Sequence, residues 1–475
     1  MTLNENDLLF KYSHEKDGKV RKKILEQNAK QEQIKSIPLY VEALKDPVVE
    51  NKAIAIKSLG ELGAIEAIKP LIEMTQYRLE IQGELISNIV KIAKDVDLKY
   101  FVEYLKEGNI NVRKSIPIIL GKIGNRDAIP LLINLLKDKN SIIRVNSVKA
   151  LGKLTESHEI DIILQVFEDG DEEVRKAAIF AISDKKNMHA LNPLLKLLKD
   201  KNKTIRKCSA RAIFKLLKET QHLKTLYRCL KSKNRYERRE VVKLLGLIGN
   251  SESIKYLIKI LNSRDGNLRN QALKSIIKIS KKINYIDNSL ILALSAKEWQ
   301  IRSYCAKIIG LIGNETITDN LLNLMKDSKS IVRRNATKSL AKIGSNKIIP
   351  IVIKCLRDPD WRVRRSSVDL LRKIGSPEAI SPLINSLKDD DIYVKTWAIK
   401  ALGNLKDDRI INALSKLLDD QNSRIRLSVV KALAKIKDKN SINYLIKALG
   451  DDDFEVRKEI EKALYSIEPN WMDLL

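Results

Sequence analysis

The stretch DAIPLLINLLKDKNSIIRVNSVKALG, Asp127–Gly152, decides the fold. Pro130 falls in the first turn of a helix, where the missing N–H leaves no bond unmade. Leu131, Leu132, Leu135 and Leu136 follow at helical spacing and give an apolar stripe. Lys137 to Asn140 breaks the pattern as a turn. A second helix opens near Ile142, carries Arg144, Val148 and Leu151, and closes around Gly152. The unit is a helical hairpin whose apolar sides cannot be covered from within, so neighbouring hairpins must cover them.

Outward from Arg144 the same text recurs about every 31 residues. The basic beats are Arg21, Lys52, Arg113, Arg144, Arg175, Arg206, Arg238, Arg269, Arg302, Arg333, Arg364, Lys395, Arg426 and Arg457, and Gln82 keeps the spacing without the charge. A fixed period of this length is the signature of a stacked array rather than a closed globule. The expectation is an all-α, right-handed α-solenoid of about fifteen helical hairpins of ~31 residues, one superhelix over residues 1–475. Residues 1–218 and 301–475 read as regular repeats. Residues 219–300 read as a degenerate stretch or bend, because the spacing slips there to 32 and then 33 residues. Residues 76–111 form a second irregular zone, whose Tyr77, Tyr100, Phe101 and Tyr104 are expected to fill core space.

Three segments carry the resemblance to a known family: Lys137–Leu154, Lys326–Gly344 and Lys388–Leu405. Each has Lys-Asp, a basic residue six positions after the Asp, and Leu seven after that. They resemble HEAT repeats of the short type associated with phycobilisome lyases, and the resemblance runs over essentially the whole chain. An acidic residue stands six positions before the beat in eleven of the fifteen units: Glu15, Asp46, Glu107, Asp138, Asp169, Asp200, Asp327, Asp358, Asp389, Asp420 and Asp451. The resemblance implies that these acids and the basic beats form a structural charge ladder through the turns. It fails at Ser232, Ser263 and Ala296.

The net charge of +28 has an address. Positions plus 1, plus 5 and plus 9 from each beat share one face of the second helix. These columns hold 27 basic residues against only Glu26, Glu61, Asp184 and Asp369. The resemblance places second helices on a concave surface, so the face is read as a basic groove. Its named members are Lys149, Lys153, Arg211, Lys215, Lys243, Lys274, Lys278, Lys307, Lys338, Lys342, Lys373, Lys400, Lys431 and Lys435. Aromatic anchors are placed at Tyr304, Trp361 and Trp397. Trp299 and Trp361 are expected to pack between repeats, and Trp471 to cap the last one. A one-signed face of this kind attracts anions, and its natural ligands are an acidic protein segment or a nucleic acid backbone.

Enzymatic relatives of the architecture leave clear marks. HEAT-type deoxyhypusine hydroxylases bind iron through four His-Glu dipeptides, and this chain has only His14-Glu15 and His158-Glu159. Asp369 with Trp397 in a basic column resembles the arrangement in HEAT-like DNA glycosylases. No Walker, nucleophile-elbow or zincin motif occurs. Cys208, Cys229, Cys305 and Cys355 are scattered without a C-x-x-C pair, which fits reduced thiols. There is no apolar leader at the N-terminus and no run long enough to span a bilayer. The expectation is a non-enzymatic, cytoplasmic, monomeric scaffold without metal or cofactor. It binds an acidic protein segment, with nucleic acid as the alternative.

Overall fold

The computed structural model describes residues 5–29, 34–77, 80–95, 97–220, 222–313, 317–343, 346–405 and 407–474. Lys30 and Gly344 lie outside them. Among the described residues there are thirty α-helices and no strand, in strict alternation of a first and a second helix, fifteen hairpins in all. The fold is an all-α solenoid.

Local chemistry sets each helix. Four residues before a beat, Asn140, Asp171, Asp265, Asp360, Asp391, Asn422 and Asp453 accept a backbone N–H of the first turn and cap the second helix. Eleven residues after a beat, Gly63, Gly124 and Gly375 end it in the left-handed region, with φ of 64°, 85° and 72°. A side chain there would meet its own carbonyl, which is why glycine closes these helices. Fourteen-residue helices such as Ser141–Leu154, Ser330–Ile343 and Trp361–Ile374 result. First helices are short; Ile129–Leu135 has seven residues, with proline in its first turn. Leu132, Val148 and Leu151 are fully buried.

Hairpins continue through residues 222–300. The slip in spacing has a simple source: Lys203–Thr220 and Gly266–Ile283 are both 18 residues long, so the extra residues lengthen second helices. Tyr77 does not fill the core and is exposed, whereas Phe101 is fully buried. Tyr104 is half-buried and donates to Glu73 Oε1 at 2.9 Å.

Consecutive second helices touch through glycine. Eight residues after a beat, Gly121, Gly152, Gly246, Gly310 and Gly403 lie against Ala150, Ala181, Ser275, Ser339 and Ala432 of the next second helix. At Gly310 an added Cβ would sit 2.3 Å from Ser339 Cβ and 2.5 Å from its Cα, so no larger residue fits without backbone movement.

The chain divides into two compact units. One runs to Thr225 and includes Ser232–Glu240; the other holds Leu226–Lys231 and everything from Val241.

Candidate functional site: a basic second-helix face

The beats themselves are structural. Arg144 donates through Nη1 to the carbonyls of Asp138 and Lys139 in its own turn, and through Nε and Nη2 to Asp169, both at 2.8 Å. The acid it pairs with therefore belongs to the next repeat, 25 residues on. Arg21–Asp46, Arg113–Asp138, Arg175–Asp200, Arg302–Asp327, Arg364–Asp389, Lys395–Asp420 and Arg426–Asp451 repeat the arrangement. At two of the places where the next acid is missing, aromatic groups stand in: Arg206 lies 4.2 Å over the Tyr236 ring, and Arg269 Nε reaches Tyr304 Oη at 3.4 Å. The hydroxyl of Tyr304 thus faces a ladder arginine. Arg333 departs from the rule, because its expected partner Asp358 pairs with Lys326 at 3.2 Å.

All fourteen predicted cations stand on second helices, and every one is exposed except Lys373, which is half-buried. Long cationic side chains with their heads in water cost little to hold there, since their stems cover the helix surface. The four acids of the columns are each neutralised by a neighbour. Glu26 meets Lys22 at 4.0 Å, Glu61 meets Lys57 at 3.9 Å and Asp184 meets Lys215 at 2.8 Å. Asp369 is held by Arg372 at 2.8 Å and by Lys373. Lys435 is engaged by Asn404. Lys149, Lys153, Arg211, Lys274, Lys278, Lys307, Lys338, Lys342 and Lys431 make no ion pair among the described residues. Exposed pairs of the kind that do form contribute little and screen easily, so the face keeps its positive sign.

Around Trp397, in the second unit, the face is concave. A cavity of about 320 Å³ is lined by Arg333, Arg334, Lys338, Arg362, Arg365, Asp369, Arg372, Lys373 and Trp397, among others. A neighbouring one of about 390 Å³ shares Arg372 and Trp397 and adds Lys400, Lys431 and Lys435. The half-buried Trp397 ring has Arg365 at 4.9 Å, Arg372 at 5.5 Å and Lys400 at 5.7 Å. Cations over an indole face are held by its quadrupole. Trp361 lies instead against Tyr393, ring centres 5.6 Å apart. Trp299, which opens the second helix Trp299–Ile312, is 37% exposed. Trp471 is buried, edge-on to Tyr465.

The helix pattern alone did not single out Arg362 or Arg372. Arg372 stands eight residues after its beat, where six second helices, that of Gly60 included, carry the contact glycine and no other carries a charged residue. That lone charge at plus 8 is the signal that could have found it. In the first unit a cavity of about 620 Å³ is lined by Lys149 and Lys153 together with Ile118 and Phe180. Phe180 is 54% exposed and takes the plus-5 place that lysine holds elsewhere.

The two His-Glu dipeptides give no ligand set. Among the described residues no group of three or more His, Cys, Asp or Glu is placed to hold a metal ion. All four cysteines are free, and burial pushes the Cys305 thiol up to about 12. No described helix is long and apolar enough to cross a membrane.

A family model described as HEAT repeats matches residues 98–170, 160–239, 288–372, 345–391 and 380–465. No curated protein matches the sequence. Among solved structures, the chain is similar to karyopherin Kap121p, at 14% identity over 93% of this chain and 57% of that one, with a TM-score of 0.41. Kap121p bound to RanGTP gives 16% identity, the same coverage and 0.42. Importin beta gives 14% identity over 91% of this chain and 61% of that one, with 0.40. The chain spans a little over half the length of these structures, and the likeness concerns the fold alone.

Proposed function

The chain belongs to the HEAT-repeat family, and we propose that it is a binding scaffold that captures an acidic segment of a partner protein along its basic second-helix face. One observation carries the reading: exposed lysines and arginines recur at fixed places on successive second helices, most of the fourteen making no ion pair among the described residues, while the ladder arginines in the turns are mostly satisfied. Evenly scattered charge would serve solubility alone; charge concentrated on one helix face raises the local potential and steers an anionic segment onto it. The work is electrostatic capture and not catalysis. Asp369, the one acid beside Trp397, is tied by two cations and so has no free role as a general base.

Nucleic acid is the second reading, favoured by the half-buried Trp397 among cations, since aromatic rings beside cations stack bases in other proteins. Fluorescence anisotropy with a labelled glutamate-rich peptide, beside mixed-sequence DNA and RNA across a salt series, separates the two. Peptide binding with weak retention of oligonucleotide supports the scaffold. Tight oligonucleotide binding that falls steeply with salt, with no peptide binding, moves the protein to the nucleic-acid class.

A further inference from the structure

We propose that the cavity formed by the second helices Ser330–Ile343, Trp361–Ile374 and Ile392–Leu402 is a phosphate-binding pocket that takes a phosphate monoester on the partner's acidic segment. The inference rests on the scaffold reading and names the chemistry one part of the face would recognise.

Three independent features point there. First, Arg333 is only 8% exposed and has no carboxylate partner among the described residues. Its Nη1 is used on the carbonyls of Asp327 and Ser328, at 2.6 and 3.2 Å, while its ladder acid is taken by Lys326. A guanidinium with five donors is thus left part-satisfied on a cavity wall. Second, the Nε of Arg372 is buried without a partner on the same wall. Third, Arg334, Arg362 and Arg365 converge on the cavity, Arg362 meeting Asp360 at 3.4 Å, and the one acid of the cavity wall, Asp369, is already shared by two cations. Burial first, and then Arg362 and Arg365, pull the Arg333 pKa down, the direction expected of a cation held among cations.

Such a cluster is costly while empty and fits a compact dianion. A phosphate monoester brings about two charges and three acceptor oxygens, which several planar guanidinium forks can meet in pairs. A carboxylate brings one charge and two oxygens. A phosphodiester within a nucleic acid also has one charge and two free oxygens, and it repeats along a strand, whereas the five arginines crowd one cavity of about 320 Å³. Lysines in the adjoining cavity, Lys400, Lys431 and Lys435, are placed for acidic residues that flank the phosphate.

The test uses the full chain and three fluorescein-labelled glutamate-rich peptides that carry phosphoserine, glutamate or serine at one central position, with a 5′-phosphorylated oligothymidylate beside them. The triple variant Arg334→Lys, Arg362→Lys, Arg365→Lys keeps the charge, loses the forks and spares Arg333 and Arg372, whose contacts support the fold; circular dichroism checks its helicity. On the native chain the phosphoserine peptide should bind roughly tenfold more tightly than the glutamate peptide. On the triple variant the two should come within about twofold of each other, with the glutamate peptide unchanged. Equal binding of the phosphoserine and glutamate peptides by the native chain overturns the pocket and leaves the scaffold reading standing. A phosphate preference that survives in the folded triple variant also overturns it. Binding of the oligothymidylate with neither acidic peptide retained sinks both readings.

Discussion

Asp46 accepts from four residues: Tyr12 Oη at 2.5 Å, Arg21 Nε and Nη2 at 2.8 and 3.1 Å, the Val48 N–H at 2.8 Å and Asn51 Nδ2 at 3.0 Å. Burial alone would raise its pKa, but Arg21, Tyr12, Val48 and Asn51 outweigh it and hold the carboxyl well below the ordinary range. Asp327, Asp389 and Asp451 are displaced the same way. A lowered folded-state pKa means that the unfolded chain takes up protons first as pH falls. These carboxylates therefore contribute in full above the unfolded value of about 3.9, and their contribution is lost as pH drops through the lower folded values. Denaturant titrations should show little change in their contribution from pH 7 to about 5 and a steep loss below about 4. In Asp389→Asn, which breaks a two-pronged ladder pair, stability should fall by roughly 2 kcal/mol at neutral pH, and the acid slope should shrink. Asp358→Asn, whose cation is the exposed Lys326, should cost under about 1 kcal/mol. Equal costs at the two positions would show that the ladder pair at Arg364 is no stronger than a surface bridge. The acid and arginine columns are visible in the sequence as a spacing of six. That the arginine bonds forward, into the next repeat, is not, because one repeat's text does not say which neighbour closes the pair.

Helix ends follow directly from residue type: Asp or Asn four before the beat, glycine eleven after it. The contact glycines at plus 8 carry information of another kind, since they record how closely two second helices approach. Gly310→Ala gains about 1 kcal/mol of helix propensity, yet should destabilise overall by about 1–3 kcal/mol because the new methyl has no room. Ser339→Gly in the same chain should restore little of the loss, because the Cα of residue 339 stays 2.5 Å from the new methyl. Gly83→Ala, on a helix surface with no atom near the new methyl, should be neutral or stabilising by up to about 1 kcal/mol. Equal melting shifts for Gly310→Ala and Gly83→Ala would refute the close-contact account. The sequence displays these glycines as part of a repeated Leu-Gly, but their facing partners two positions earlier in the next repeat emerge only when the hairpins are stacked. For the same reason the cavity beside Trp397 is hidden in the text. Arg333 looks like any other beat, and only Arg372, the one charged residue at plus 8, marks the site as different.

At the scale of the molecule, each unit is a stack in which a hairpin contacts chiefly its neighbours, so disturbances should stay local. Hydrogen exchange on Gly310→Ala should quicken in the hairpins around residues 299–343 and leave residues 110–154 unaltered; acceleration at both would contradict that locality. The repeat register alone conveyed the solenoid and the location of its charge, since period and charge columns are properties of the chain. The partner is not written there, because a binding face describes only the sign and spacing of what fits it. The decisive measurement is the affinity of a glutamate-rich peptide for three forms of the full chain. These are the native chain, the triple variant Lys338→Glu, Lys400→Glu, Lys431→Glu on the second-helix face, and an equally charged control, Lys354→Glu, Lys416→Glu, Lys447→Glu, on or beside the first helices. The account predicts that the second-helix variant loses roughly tenfold or more in affinity, while the control stays within about threefold of native. Equal losses in the two variants, or a native chain that ignores the peptide at low salt, would contradict it.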